Sequence, residues 1–238
     1  MNLTLSSVVL EVGGRRLLRT GDFRFVPGNV HCIGGRSGTG KTSLLRVLIG
    51  TEGARLAEGL VRFEKGGAGY AKANGFQPQR GQDIVLMQQG APLWPHCTAY
   101  ENAWMPWALQ GGVYGFWERR RKAQARAAQR LEQLHLSREI WSRNAGRLSG
   151  GERRRVALAA ALVFESHCLL LDEPTANLDR ESTDAICSLL SQAATDHLLI
   201  VTTHDPDLLS RDSGWIQLRI EASESHQTES MLVPARVT

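Results

Sequence analysis

The chain has 238 residues and a formal net charge of +4 with a pI near 9.1, which suits one large α/β domain with a mildly basic surface. Its four cysteines form no CxxC pair and no zinc-like spacing with histidine, and Cys32 and Cys168 lie in apolar runs typical of core thiols in a reducing compartment. The longest apolar run, VALAAALVF, is too short to cross a bilayer, and the first residues lack a basic, apolar leader, so we expect a soluble cytoplasmic chain.

The first half of the chain predicts strands around one glycine-rich loop. LTLSSVVLEV and RTGDFRFV each predict a β-strand, and NVHCIGG predicts a third strand that runs into the loop. KTSLLRVLIG predicts the helix that leaves this loop. Residues 52–82 predict a short strand with loops, and DIVLMQQ predicts a further strand.

The second half predicts helices followed by two buried strands. Residues from about 90 to 148 hold five of the six tryptophans, and helical patterns dominate after Phe116, so we expect a helical subdomain inserted into the core. HCLLLD and HLLIVTTH are apolar runs typical of buried parallel strands. We therefore expect one domain over residues 1–222, whereas the polar, serine-rich residues 223–238 predict a loose tail.

The run Glu118–Arg130 carries much of the positive charge. Its simplest interpretation is a solvated helix face, and a second is a cytoplasmic surface near anionic lipid headgroups. Aromatic residues are not interleaved in it at a stacking spacing, so no nucleic acid is expected as a partner.

The segment GRSGTGKT matches the phosphate-binding P-loop pattern, a glycine-rich turn between a strand and a helix. Glycines let backbone N–H groups point at one place, where the positive end of the helix dipole attracts an anion. Lys41 would place a charge on the β- and γ-phosphates, and the Thr42 hydroxyl suits Mg²⁺. A chance match in a glycine-rich chain is the alternative, against which the flanking strand and helix argue. The predicted nucleotide-binding residues here are Gly35, Arg36, Ser37, Gly38, Thr39, Gly40, Lys41 and Thr42.

Two acidic residues end the predicted strand CLLLDE. Asp172 would hold Mg²⁺ through water, and Glu173 would accept the proton of an attacking water or polarise it. Neighbouring residues alternate between the faces of a strand, but because the strand ends here both side chains can reach one site. Without the P-loop, an acidic strand-end loop would be the preferred interpretation.

The segment LSGGE predicts the start of a second helix with an anion-binding end. Ser149 and Glu152 have the spacing of a capping box, and Gly150 and Gly151 leave the first backbone amides open. An ordinary serine-capped helix is the alternative. One chain has no evident need for two sites that recognise a γ-phosphate, and the residues alone do not explain the second.

In chain order, GRSGTGKT, LSGGE, CLLLDEPTANLD and TTHD resemble the Walker A, signature, Walker B with D-loop, and switch-histidine motifs of ATP-binding cassette (ABC) ATPases. The resemblance covers nearly the whole chain. It implies an α/β fold, a P-loop NTPase core with an antiparallel β subdomain and an inserted helical subdomain, which binds ATP and Mg²⁺. It also implies head-to-tail pairing with a second copy or a paralogous ATPase subunit, so that Ser149, Gly150 and Gly151 close the nucleotide of the other chain.

The same resemblance assigns roles to three more residues. Gln89, chosen over Gln88 because an L-W-P-H stretch starts at Leu93, would contact Mg²⁺ or the attacking water. His204 would contact the γ-phosphate, and Asp179 would bridge the two composite sites. A solvated strand-end glutamine and a structural histidine are the alternatives for the first two. The predicted catalytic residues are thus Gln89, Glu173 and His204, and the predicted Mg²⁺-binding residues are Thr42, Gln89 and Asp172.

The resemblance further implies a transmembrane permease as partner, with this chain peripheral on the cytoplasmic face of the inner membrane. PLWPHCTAYEN would form the receiving surface, with exposed-looking aromatic residues from Pro92 to Trp107. The competing interpretation is that these tryptophans fill the core of the helical subdomain.

Within the family, YENAWMPWALQGG, LSGGERRRVALAAAL and DEPTANLD are most similar to ATPases of the lipoprotein-releasing and macrolide-exporter group, which extrude lipids, lipoproteins or peptides. A regulatory ABC ATPase, which signals through a membrane partner without transport, is the main alternative. A soluble ABC protein of translation or DNA repair is a third, but such proteins usually carry two cassettes or a long coiled-coil insertion.

One departure from the family concerns the nucleotide base. The family usually has an aromatic residue upstream of the P-loop that stacks on adenine, and register against GGRRLL puts Val12 at this position. We therefore expect stacking to be lost or replaced by apolar contact, and base selectivity to be weak.

Overall fold

The computed structural model describes residues 1–65, 68–72, 82–110, 112–205, 208–209, 214–222 and 230–234. Their strands are β1 (Asn2–Val12), β2 (Arg15–Thr20), β3 (Phe23–Phe25), β4 (Val30–Gly35), β5 (Arg55–Lys65), β6 (Ala68–Lys72), β7 (Ile84–Met87), β8 (Cys168–Asp172), β9 (Leu198–Thr203), β10 (Ile216–Ala222) and β11 (Ser230–Pro234). The helices are α1 (Lys41–Ile49), α2 (Ala99–Leu109), α3 (Gly112–Gln133), α4 (Arg138–Trp141), α5 (Gly150–Val163) and α6 (Arg180–Ala193), with a 3₁₀ turn at Ala145–Arg147. None of these helices is long and apolar enough to span a membrane.

The strands join in one mixed sheet with the order β6-β5-β1-β2-β11-β10-β4-β9-β8-β7, and β3 lies beside β1. The five strands β10, β4, β9, β8 and β7 pair in parallel with one another. In the other half, β1 pairs antiparallel with β2, β3 and β5, and β5 with β6. The predicted P-loop α/β core with an antiparallel β part is therefore confirmed.

The parallel strands separate two apolar layers, as β8 illustrates. Cys168 and Leu170 belong to the layer that includes α1 and the antiparallel strands, whereas Leu169 and Leu171 belong to the layer that includes helices α2, α3, α5 and α6. This alternation explains why CLLLD is apolar on both faces, as expected for a covered parallel strand. Burial also raises the pKa of the Cys32 thiol on β4 to about 12, so that thiol stays protonated in the core.

The helical layer begins at a capping box that precedes α2. The Thr98 hydroxyl accepts from the backbone N–H of Glu101 at 3.1 Å, and the Glu101 carboxylate accepts from the Thr98 N–H at 2.8 Å. Helix α2 therefore starts well before Phe116, after which the sequence predicted most of the helix. It packs against both α3 and α5, and α5 in turn packs against β7.

Three local predictions are wrong. RTGDFRFV is not one strand, because Asp22 accepts hydrogen bonds from the backbone N–H and hydroxyl of Ser7 and separates β2 from β3. The short strand predicted within residues 52–82 is also wrong, because β5 alone is 11 residues long and its Val61 and Phe63 are buried against β1. Residues 66–67 and 73–81 lie outside the described residues.

The third correction concerns the predicted loose tail over residues 223–238. Ser230–Pro234 form β11, which pairs antiparallel with β10 and parallel with β2. Leu232 is 1% exposed and belongs to the apolar layer around α1, so burial of this side chain stabilises β11 against the rest of the sheet. Residues 223–229 and 235–238 lie outside the described residues.

Candidate functional site

Four parallel strands end at one edge of the sheet, and each delivers a predicted site residue there. The P-loop follows β4, Gln89 follows β7, Glu173 follows β8 and His204 follows β9. Ligand sites of open α/β sheets lie at the carboxyl ends of the strands. The topology therefore concentrates the chemistry of distant sequence segments at this edge.

The P-loop turns back on itself before α1. Gly38 and Gly40 have φ values of 81° and 104°, which side-chain-bearing residues rarely adopt, and Gly40 caps α1 without any side-chain hydrogen bond. The Lys41 ammonium donates to the carbonyls of Gly35 at 2.7 Å and Arg36 at 2.9 Å. Its position at the mouth of the loop suits a β- or γ-phosphate oxygen as the next acceptor.

Lys41 is 5% exposed, and burial lowers the pKa of its ammonium, with Glu173 and Asp172 acting in the opposite direction. A buried cation needs compensating negative charge, and two carboxylates supply part of it. A bound polyphosphate would supply more.

Asp172 is held by two hydroxyl groups. One carboxylate oxygen accepts from Thr42 at 2.8 Å and the other from Thr202 at 2.6 Å, and the side chain is 1% exposed. A hydroxyl and a carboxylate oxygen in contact are the hard donors that Mg²⁺ prefers, so Thr42 and Asp172 fit this ion. Sequence reasoning missed Thr202, although its place two residues before the TTHD histidine marked it as a strand-end residue.

The Glu173 side chain contacts the other two predicted catalytic residues, Gln89 and His204. One carboxylate oxygen accepts from the Gln89 side-chain amide at 2.8 Å, and the other lies 2.7 Å from His204 Nδ1. Glu173 has a φ of 52°, fixed by its N–H donating to the Thr202 carbonyl at 3.0 Å, which turns the chain at the end of β8. Gln89 is thus bonded to the candidate base, which supports its choice over Gln88.

The signature segment forms the predicted capping box at the start of α5. The Ser149 hydroxyl accepts from the Glu152 N–H at 3.2 Å, and the Glu152 carboxylate accepts from the Ser149 N–H at 2.7 Å. Gly150 is exposed. Gly151 lies against Leu178, where an added Cβ would be 2.9 Å from a methyl group. The segment is therefore ordered locally and presents Ser149 and Gly150 outwards.

Asp179 caps α6 through Ser182. Its carboxylate accepts from the Ser182 N–H at 2.9 Å and from the Ser182 hydroxyl at 2.8 Å. These hydrogen bonds lower the pKa of Asp179 below its usual value. Within this chain the residue is a helix cap, and the predicted bridge between two sites stays a prediction.

An apolar groove of about 300 Å³ opens between the segment after β7, α2 and α5. Its lining residues include Met87, Ala91, Pro92, Trp94, Pro106 and Phe164. Trp94 is 44% exposed. Its backbone is fixed by buried Asn102, whose side chain accepts from the Trp94 N–H at 2.7 Å and donates to its carbonyl at 3.1 Å.

The expected exposure of the aromatic residues from Pro92 to Trp107 is only partly right. Trp104 and Trp107 are buried and fill the helical layer, as the competing interpretation held. Tyr100 is half-buried and stacks on Trp141 with ring centroids 5.7 Å apart. Trp94 is therefore the aromatic residue of this segment that a partner can reach.

Comparisons with known proteins agree with this arrangement. The family model described as ABC transporter matches residues 18–176 of this chain. The lipoprotein-releasing system ATP-binding protein LolD of Legionella pneumophila (strain Paris) is 34% identical over 199 residues, covering 82% of this chain and 83% of that protein. LolD of Saccharophagus degradans is 37% identical over 191 residues, covering 79% and 80%.

A relative with another cargo is similar to the same degree. The Fe(3+) ions import ATP-binding protein FbpC 2 of Rhodococcus jostii is 34% identical over 220 residues, covering 87% of this chain and 57% of that protein. Among solved structures, the dimeric bacterial ABC transporter cassette MJ0796 has a TM-score of 0.74 at 23% identity, covering 99% of this chain and 100% of that one. This chain belongs to the ABC transporter family, as an ATP-binding subunit with ATPase activity.

Proposed function

We propose that the chain pairs head to tail with a second copy or a paralogous subunit and hydrolyses ATP to drive a membrane permease. The observation that carries this proposal is the Glu173 carboxylate, held between Gln89 and His204 next to the Thr42–Asp172 pair. The chain would act peripherally at the cytoplasmic face of the inner membrane. Lipids, lipoproteins or peptides are the proposed cargo, because two LolD relatives are 34% and 37% identical over about four-fifths of the chain.

ATP and Mg²⁺ fit the residues at the P-loop. Lys41 and the loop amides would bind the phosphates. Thr42 and Asp172 would hold Mg²⁺, and Gln89, which donates to the Glu173 carboxylate, would contact the ion or the attacking water. Mg²⁺ neutralises charge that develops on the phosphate oxygens. Glu173 would accept a proton from the attacking water, while Gln89 and His204 hold its carboxylate in place.

The signature end of α5 would complete the site of the paired chain. Ser149 and Gly150 face outwards, and the helix N-terminus attracts anions. Asp179 lies beside this surface at the start of α6 and would bridge the two sites. The dimeric form of the related cassette structure is consistent with pairing of such chains.

The apolar groove around Trp94 would receive the permease. The groove is concave and apolar, as helix-binding grooves are, and hydrogen bonds with Asn102 hold the backbone of Trp94. Its floor comes from the segment that carries Gln89, so occupation of the groove and the position of the catalytic amide would be linked.

Glu173→Gln tests the catalytic part of the proposal. We expect turnover to fall about 100-fold or more, because the water loses its base while Asp172 and Lys41 still bind Mg-ATP. The trapped ATP should then accumulate a dimer in gel filtration. Glu118→Gln, which removes the same charge from an exposed position on α3, should behave like wild type. A Glu173→Gln chain that stays monomeric at every ATP concentration contradicts head-to-tail pairing.

Trp94→Ala tests the docking part in cell membranes. We expect less permease to co-purify while ATP binding is kept, whereas Trp117→Ala, at a 67% exposed tryptophan outside the groove, should leave recovery unchanged. Tyr100 is unsuitable for this test because its loss would disturb the stack on Trp141. If the recovered partner has a large periplasmic domain and no substrate path, the function of the chain would be signalling through this partner and not transport.

A further inference from the structure

Arg154 lies one turn into α5, and its guanidinium contacts two loops at the catalytic edge. One terminal nitrogen donates to the Ala176 carbonyl, and the other donates to the Gln89 carbonyl at 3.2 Å. Ala176 follows Glu173 in the turn after β8, and Gln89 follows β7. One side chain on the helix that begins after Ser149 therefore holds both loops.

The two acceptor residues each connect to Glu173. The Gln89 side-chain amide donates to the Glu173 carboxylate at 2.8 Å, and the Ala176 N–H donates to the Glu173 carbonyl at 3.3 Å. Arg154 is thus linked by two short routes to the residue that carries the candidate base.

The chemistry of arginine suits this position. Its planar fork presents terminal nitrogens in fixed directions, so two carbonyls on separate loops are bound at once, whereas a lysine ammonium is a single point donor. The Nε of Arg154 is buried and has no hydrogen-bond partner among the described residues. The terminal nitrogens therefore carry its directional contacts. The adjacent Arg155 points elsewhere and donates to the Ser182 hydroxyl on α6 at 3.4 Å.

We propose that Arg154 is a positioning residue that couples α5 to the Glu173 carboxylate. When Ser149 meets the nucleotide of the paired chain, α5 moves, and Arg154 carries this movement to the backbones of Gln89 and Ala176. This movement brings the Gln89 amide and the Glu173 carboxylate into the relative position that hydrolysis requires. This step rests on the proposed head-to-tail pairing.

The test compares Arg154→Met, Arg154→Lys and the control Arg153→Met in the full chain. Arg153 lies on the same helix and makes no side-chain hydrogen bond to any residue that the structure describes. Arg154→Met should lower kcat by about tenfold or more and leave the Kd for ATP near wild type, because small displacements of catalytic groups cost rate. Arg154→Lys should recover only part of kcat, and Arg153→Met should retain it.

Hydrogen–deuterium exchange separates positioning from general stability. Arg154→Met should raise amide exchange in residues 88–91 and 174–178 and leave α1 and the melting temperature nearly unchanged. The proposal is overturned if kcat is unchanged in Arg154→Met, if Arg153→Met loses as much, or if exchange in the two loops does not change.

A second background distinguishes failure of this inference from failure of the proposed function. Arg154→Met combined with Glu173→Gln should still form the Mg-ATP dimer, since Lys41 and Ser149 are intact. Loss of that dimer, where Glu173→Gln alone forms it, overturns the positioning role, because Arg154 would then shape the pairing surface. If Glu173→Gln alone remains monomeric, the pairing model fails, and kcat and exchange alone decide whether Arg154 holds the loops.

Discussion

Helices α1 and α5 both begin at a glycine-containing, anion-attracting end, but the two ends are built differently. Gly40 caps α1 with a φ of 104° and no side-chain hydrogen bond. Ser149 caps α5 in a complete capping box with Glu152. Lys41 at the first end is buried and bonded to loop carbonyls, whereas Ser149 and Gly150 at the second end are exposed.

The difference indicates which end is prepared for phosphate within one chain. At α1 the amides are left without a side-chain cap, and a buried cation stands beside them, so an anion improves the site. At α5 the capping box already stabilises the helix start, and the exposed Ser149 and Gly150 suit a phosphate that is bound to another molecule.

Lys41→Ala should remove most ATP turnover, by about 100- to 1,000-fold, because the transferring phosphate loses its fixed positive charge. Arg46→Ala removes an exposed cation from the same helix and should leave kcat close to wild type. Steady-state turnover of both variants with Mg-ATP decides the matter. Near wild-type turnover of Lys41→Ala would mean that the P-loop does not bind the reacting phosphate.

Ser149→Arg should also abolish turnover, yet a monomer should still bind ATP, because the blocked surface serves the paired chain. Mixing this variant with Lys41→Ala sharpens the comparison. A mixed dimer holds one site with both defects and one with neither, so turnover should reappear when two inactive proteins are combined. No recovery on mixing, together with lost ATP binding by Ser149→Arg, would place the signature in the same chain's site.

Gly40→Ala and Gly150→Ala compare the backbones of the two helix starts. Gly40 has a positive φ and its Cβ position lies 3.3 Å from the Leu17 side chain, so alanine should lower the free energy of unfolding by about 1–2 kcal/mol. A Cβ at Gly150 meets nothing within 4 Å, so the change there should stay within about 0.5 kcal/mol. Urea unfolding measures both, and equal losses would show that the strained turn before α1 does not matter for stability.

Local spacing predicted the parts of the site that depend on neighbours in sequence. The capping box of Ser149 and Glu152 is encoded within four residues, and the P-loop is encoded by one strand–turn–helix unit. The roles of Gln89 and His204 were implied by the family resemblance, and the structure brings both to Glu173 because the parallel strands end at one edge of the sheet. The Thr98–Glu101 capping box has the same Ser/Thr-x-x-Glu spacing as the start of the signature helix, and that spacing marks the beginning of α2.

Contacts between distant segments could not be predicted in this way. Arg154 looks like one of three adjacent arginines, and only the crossing of α5 over two loops distinguishes it from Arg153. The strand at Ser230–Pro234 depends on a free position between β2 and β10, which no local pattern reveals. The burial of Trp104 depends in the same way on how α2 packs against its neighbours.

Selectivity between nucleotide bases is expected to be weak at the start of α1. Val12 ends β1 opposite Arg15, and the aliphatic side chains of Leu17 and Leu18 lie 3.3 Å from the position of a Cβ on Gly40. None of these three apolar residues offers a purine a π-face. The contacts from the P-loop to phosphate do not distinguish bases. GTP should therefore compete with ATP within about tenfold, a difference of about 1.4 kcal/mol.

Val12→Tyr adds an aromatic face at this position and should tighten ATP binding modestly, since stacking on an aromatic side chain contributes about 1–3 kcal/mol per base in nucleic-acid complexes. Arg15→Tyr places the same ring across the β1–β2 turn and serves as the matched control. Competition of GTP against a fluorescent ATP analogue measures selectivity in all three chains. If the wild type already prefers ATP several hundredfold, a residue other than Val12 or Leu17 recognises adenine, and the two helix ends differ in base recognition as well as in their caps.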